Sequence, residues 1–431
     1  MDIQTAVFAV LSPTTLGSTI TVTGIPFQPK ALIFWWSGRT GTVDASGLQT
    51  HRRGFGFAES TTSRGAVSTQ SEFNSAGANC DLGMRQDSVM FDITTAGAID
   101  GIADLDSINS DGFTLIADDA FADQPLIHHW LIGGADITAV DFGLFNEPAT
   151  ATTQDITTGF NMTSGNFGVF FMAEPTGLAL PSLSTDSRCM FGFAGGVDLA
   201  NAVWAGGSDN GSNPTNTLSY CRNGQCLANV SNPVASINTR ASLIAGLANG
   251  FRLSYSEVTS TARQYLYLAI NGGKWKVGGI TSKTNTTAFT TGGFFEPRGT
   301  MFLSAGSPED ADDTPHDTDQ WSLGASENGT AAFNNNYSMN ATDRDNVATA
   351  DVSTILERDG NGGCYVHIDP TTGAMDGRMY VTTHRADGFS AVMEDADAAE
   401  NFIGFISVGV EVWPTVADSL LVRPMTANVR R

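Results

Sequence analysis

Apolar and polar residues alternate along this chain in short runs, and glycine, asparagine and aspartate clusters break the runs throughout. Such runs, rich in β-branched and aromatic residues, predict strands; no apolar stripe at helical spacing extends far enough to predict a long helix. One pattern recurs. Asp111-Gly112-Phe113 leads, through an acidic loop at Ala117-Asp118-Asp119-Ala120, to the apolar run from Leu126 to Ile132 and then Gly133-Gly134. Asn249-Gly250-Phe251 leads to Tyr265 through Ile270 and Gly272-Gly273, and Asp387-Gly388-Phe389 leads to Phe402 through Val408 and Gly409. In each, the Asp-Gly or Asn-Gly step supplies a positive φ at low steric cost, and Phe opens an alternating strand with one buried face. The apolar run that follows predicts a strand buried on both faces or central in its sheet.

The Gly-Phe pairs start at 112, 250 and 388, so both intervals are 138 residues (250 − 112 and 388 − 250). A fixed period is the signature of internal repetition. Two further landmarks keep nearly the same phase. The first is a Phe-containing opening strand: Phe27-Gln28-Pro29 on to Phe34, Phe160 on to Phe171, and Phe295-Glu296-Pro297 on to Phe302. The second is an aromatic-glycine element: Gly54-Phe55-Gly56-Phe57-Ala58, Phe191-Gly192-Phe193-Ala194 and Trp321-Ser322-Leu323-Gly324-Ala325. The chain therefore reads as all-β, with three tandem antiparallel β-sandwich domains from an internal triplication. The phase places them at 1–148, 149–286 and 287–431, each the size of a two-sheet sandwich.

The order of elements resembles the H-type lectin domain: a Phe-x-Pro strand near the start (Phe27-Gln28-Pro29, Phe295-Glu296-Pro297), then a Gly-Phe strand (Gly112-Phe113, Gly388-Phe389), a loop, and a strand ending in Gly (His129-Trp130-Leu131-Ile132-Gly133, Phe405 to Gly409). The second copy departs from it, since no Pro follows Phe160 at that spacing. The resemblance implies small antiparallel sandwiches that trimerise and bind sugars, and hence three copies packed about a pseudo-threefold axis within one chain. The Gly/Thr/Asn-rich texture is similar to that of tailed-bacteriophage virion proteins. That likeness implies a structural component of the tail, baseplate, fibre or head surface, assembled in the host cytoplasm, with other virion proteins, copies of itself and host-surface glycan as partners. A free-standing carbohydrate-binding lectin is the alternative.

Charge narrows the partners. The formal net charge is −23, from 22 basic and 45 acidic residues. Such a surface repels a phosphate backbone, and the only dense basic spots are His51-Arg52-Arg53 and Arg430-Arg431, so nucleic-acid binding is not expected. No apolar stretch is long enough for a membrane-spanning helix, and the start, Met1-Asp2-Ile3-Gln4, lacks the basic region of a secretory signal. The acids of Asp100, Asp104, Asp106 and Asp111, and those from Glu309 to Asp319, lack the spacing and closing Glu of an EF-hand. Calcium is a weak expectation and no other cofactor is expected.

Candidate chemistry is sparse. No phosphate-binding loop, zinc-protease helix, nucleophile elbow or dinucleotide fingerprint occurs, and the chain reads as non-enzymatic. Cys364 and His367, three apart on a strand, point to opposite faces. Of His128-His129, one is expected in the core and one at the surface. Trp35-Trp36 with Arg39 is the candidate ligand site: an outward Trp beside Arg makes a sugar platform or a subunit contact, and a buried edge of a domain interface is the competing reading. Cys221 and Cys226 flank Arg222-Asn223-Gly224-Gln225, a strong hairpin signal, and would oppose each other closely enough for a disulfide, with free thiols in a reducing cytoplasm or metal binding, for which this segment shows too few ligands, as the competing readings.

Overall fold

The computed structural model describes residues 3–40, 45–173, 180–231, 236–259, 263–309, 315–328, 336–357 and 362–410. Every helix or strand element among them is a strand, and all strand pairing is antiparallel. The strands build three pairs of sheets, each a seven-stranded sheet packed on a four-stranded one. The first wide sheet runs, in spatial order, Gln4–Leu11, Leu126–Gly133, Pro29–Trp36, His51–Ala58, Arg64–Ser71, Cys80–Arg85 and Ser182–Thr185. Its narrow partner runs Thr19–Val22, Gly112–Asp119, Ile99–Asn109 and Met90–Ile93. The same strand order recurs in the second and third pairs.

The glycines of the Gly-Phe motif show why the pattern is visible in sequence. Gly112, Gly250 and Gly388 have φ of 155°, 153° and 150°, and a methyl group on any of them would collide with the carbonyl of Val22, Ile156 or Thr291 on the neighbouring strand. Only glycine meets both demands. The Phe that follows enters the core between wide and narrow sheet: Phe113, Phe251 and Phe389 are each fully buried there.

The seventh strand of each wide sheet comes from another pair. Ser182–Thr185, which precedes the aromatic-glycine strand of the second pair, lies on Cys80–Arg85 of the first. His316–Asp317 of the third lies on Thr217–Asn223 of the second, and Ala45–Leu48 of the first lies on Val352–Glu357 of the third. First takes from second, second from third and third from first, so the exchange closes into a ring. The return from an exchanged strand is tight: Asp186 and Thr318, just after two of them, adopt φ of 101° and 109°, a costly region for residues with a Cβ.

The three wide sheets turn their outer faces toward one another. Phe55 and Phe57 of the first pair, Phe170, Phe191 and Trp204 of the second, and Leu323 and Trp321 of the third form one continuous core. Phe55 packs edge-on against Phe191 (5.2 Å between centroids) and tilts against Trp321 (5.6 Å). Each wide sheet is thus covered on both sides. Along Leu126–Gly133, Leu126, Trp130 and Ile132 enter this shared core while Ile127 and Leu131 enter the sandwich core, which accounts for the unbroken apolar run. The two histidines there depart from expectation. Both are buried, with His128 stacked on Trp35 and His129 among Phe34 and Phe113, because the strand has no solvent face.

Hydrogen bonding groups Ile137–Asn146 with Gln264–Gly272, and Lys274–Thr281 with Phe402–Val410. Both strands therefore belong to the sheet pair that follows them, ahead of the joins read at 148 and 286. The Gly-Phe phase marks the interior of each sheet pair and carries no signal for its start.

Candidate functional site

Trp35 and Trp36 are fully buried, Trp35 in the shared core and Trp36 in the first sandwich core, so neither offers a platform to a ligand. The outward Trp is corrected for the same reason as the histidines, both faces of its sheet being covered, and the competing reading of a buried edge at a domain interface fits Trp35. Arg39 donates to the carbonyl of Gly47 (2.9 Å), pinning the approach to the exchanged strand, and its partial burial lowers its pKa. The disulfide is also corrected. Cys221 and Cys226 are free thiols, Cys221 in the shared core and Cys226 in the second sandwich core. The Asn223-Gly224 turn does not close a hairpin; it carries the chain from the wide sheet (Thr217–Asn223) to the narrow one (Leu227–Ser231), which separates the two side chains. Of the first acidic cluster, Asp100 and Asp104 are engaged by Arg52 and Arg64. Asp310, Asp312 and Asp313 of the second cluster lie outside the described residues.

Two polar clusters remain. The first closes one end of the shared core. His51 Nε2 lies 3.0 Å from Asp343 Oδ1, and the Ser208 hydroxyl donates to the other oxygen of the same carboxylate. Arg53 donates to Asp319 and, through Nε, to Thr69 (3.1 Å), with its guanidinium 5.2 Å from the Trp204 ring. All three sheet pairs contribute, and all four ionisable groups are buried. Burial raises Asp319 to about 7 although Arg53 opposes the shift. Burial would raise Asp343 too, but His51, Arg53 and Ser208 together hold it below the usual carboxylate range. Burial lowers His51. The donor types of His51, Asp319 and Asp343 suit a divalent metal, and one ligand atom of each lies within 4.8 Å of the others. Arg53 already neutralises Asp319, however, so a divalent ion would leave excess positive charge in a dry site. With Arg53 on Asp319 and His51 beside Asp343, the cluster fits an ion network better than a metal centre, although Arg53 Nη1 and Asp319 Oδ1 make no hydrogen bond. Sequence showed it only as the basic spot His51-Arg52-Arg53.

The second cluster surrounds a cavity of about 360 Å³ where the second wide sheet receives the third pair's exchanged strand. Its polar wall includes Ser219, Ser307, Gln320, His367, Asp376 and Asn401. Gln320 Nε2 donates to the carbonyl of Ile368 (2.9 Å), which fixes its amide so that Oε1 accepts from His367 Nε2 (3.0 Å). The other ring nitrogen of His367 lies 3.2 Å from Asp397, whose second oxygen accepts from the Tyr365 hydroxyl (3.0 Å). Cys364 faces the sandwich core, so the nearby thiol and imidazole form no catalytic pair. Burial raises the pKa of Asp376, opposed by His367.

The repeated frame lets this cavity be compared with its counterparts. Gly56, Gly192 and Gly324 hold one place in it: a methyl group on each would strike the carbonyl of Val89, Cys226 or Cys364. In that register Arg52, Arg188 and Gln320 correspond, as do Asp92, Asn229 and His367. Asp100 corresponds to Asp376, each preceding a glycine packed against Phe121 or Asp397. In the first pair Arg52 bonds Asp100 (2.8 Å) and lies 3.6 Å from Asp123 and 4.0 Å from Asp92. In the second, Arg188 bonds Asp186 (2.6 Å).

No protein-family model matches the chain, and no curated protein matches it. No helix among the described residues is long and apolar enough to cross a membrane.

Proposed function

We propose that this chain is a structural component of a tailed-bacteriophage virion, in the tail, baseplate, fibre or head surface, that arose by triplication of one β-sandwich unit. It acts through protein–protein contacts with other virion proteins or copies of itself, and not by catalysis. The observation that carries this reading is the closed ring of exchanged strands around a shared core. Such a ring converts what three separate subunits would do by association into an intramolecular fit, with a high effective concentration for every contact. That economy suits a mechanical part of a particle better than a mobile catalyst. The five buried, unbonded cysteines are in keeping with assembly in a reducing compartment. The rival reading, a free-standing lectin, loses its sugar platform with the burial of Trp35 and Trp36.

The test is genetic and visual. Deleting the reading frame from the genome that carries it, followed by electron microscopy of the particles, should remove a discrete density or stop assembly. Normal, infective particles would contradict the proposal. A glycan array on the purified protein covers the rival, since tight and selective sugar binding would favour the lectin.

A further inference from the structure

The cavity of the third pair keeps the carboxylate of the first pair's pocket but not its arginine. In the first two pairs the corresponding position is an arginine, Arg52 or Arg188, bonded to a carboxylate. In the third it is Gln320, yet Asp376, the counterpart of the Asp100 that Arg52 bonds, is retained. No lysine or arginine is among the described residues lining the cavity. Asp376 has His367 Nδ1 at 3.8 Å, too far for a hydrogen bond. Two groups there lack a partner: the hydroxyls of Ser219 and Ser307, in residues only 1% and 8% exposed, make no hydrogen bond within the protein. Buried polar groups are ordinarily satisfied, so two orphaned hydroxyls lining one cavity point to something that completes them.

We propose that this cavity binds a guanidinium group, supplied by an arginine side chain of a partner protein. A guanidinium offers five N–H donors in a planar fork and no acceptor. The wall offers what that fork requires: the Asp376 carboxylate and the lone pairs of the two serine hydroxyls. His367 Nδ1 lies 3.2 Å from Asp397 and 3.8 Å from Asp376, and its Nε2 is engaged by Gln320, so it makes no hydrogen bond to Asp376 and leaves those oxygens able to accept from a guanidinium. Ammonium, a compact point charge with three donors, matches a spread of acceptors less well. That the arginine belongs to a partner protein rests on the assembly reading above; the guanidinium chemistry rests on the cavity alone.

The experiment is a calorimetric titration of the full-length protein with N-acetyl-arginine methylamide, with free arginine, the lysine analogue and calcium chloride as parallel probes. Saturable binding of the arginine probes is expected, with the lysine analogue weaker. Asp376→Asn should weaken binding about tenfold or more, the worth of one charge-assisted hydrogen bond. Gln320→Arg, which restores the residue of the first two pairs, should abolish it. Tighter binding of the blocked arginine than of the free amino acid supports a protein source, and the reverse assigns the site to a small guanidinium metabolite and overturns the partner. Absence of arginine binding, or binding that survives both substitutions, overturns the site, as does calcium binding in its place. Failure here would leave the virion test untouched, so the two readings fall separately.

Discussion

The first and third sheet pairs build the same pocket and finish it differently. In the first, Arg52 reaches into a group of three carboxylates, Asp92, Asp100 and Asp123. In the third, Gln320 and His367 stand where Arg52 and Asp92 do, and a polar cavity is left beside Asp376. The backbone frame is common to both, held by the glycines that abut Val89 and Cys364. What differs is whether the charge is neutralised from within. Sheet pairs of one strand order can thus carry different side chains, and different charge balance, at equivalent places.

Substitutions that interconvert the two pockets test the comparison. The largest effect is expected for Arg52→Gln, which gives the first pair the third pair's residue and strands the buried Asp92 among other carboxylates. Loss of about 2 kcal/mol is expected, below the full cost of breaking a buried pair because Arg52 is partly exposed; urea unfolding measures it. The reverse change, Gln320→Arg, gives up two hydrogen bonds and gains Asp376 as a partner. Its cost should stay within about 1 kcal/mol by the same measurement. A loss as large as that of Arg52→Gln would mean that the third pocket is not built to hold a guanidinium.

A smaller effect concerns pH. Burial raises Asp92 to about 7, against the pull of Arg52. The native state then holds this proton more tightly than the unfolded chain does, so the contribution of Asp92 to stability falls as pH rises from about 4 to about 7. Asn at this position carries no proton. Asp92→Asn should flatten the pH dependence of the urea midpoint across that window, while the wild-type chain keeps its downward slope there; an unchanged slope would place the proton elsewhere.

Much of the fold was legible because backbone demands are written in glycine. Gly112, Gly250 and Gly388 recur at a fixed interval since each combines a positive φ with a close carbonyl. The doubly covered strand from Leu126 to Ile132 was legible for a similar reason, as its whole length is apolar. What escaped was which surfaces meet. Alternation predicts one surface histidine in His128-His129 and leaves Trp35-Trp36 open between an outward Trp and a buried interface edge, whereas the wide sheets pack on each other as well as on their narrow partners and bury all four. The exchanged strands are as short as His316–Asp317, too short for any periodic signal. Cys221 and Cys226 illustrate a third limit: an Asn-Gly turn joins two strands but does not say that they share a sheet. The ion network at Arg53 and Asp319 unites residues far apart in sequence, and no local pattern announces it.

The central claim is that the exchanged strands and shared core bind the three sheet pairs into one cooperative body. Differential scanning calorimetry of the full chain tests it most directly. A single transition is expected, with the van't Hoff enthalpy close to the calorimetric enthalpy, and Trp204→Ala, which opens the shared core and removes a hydrogen bond to the third pair (2.7 Å to the Gln320 carbonyl), should shift that whole transition to lower temperature. Two or three resolved transitions, with only one of them moved by the substitution, would show that the sheet pairs fold as independent units and contradict the account.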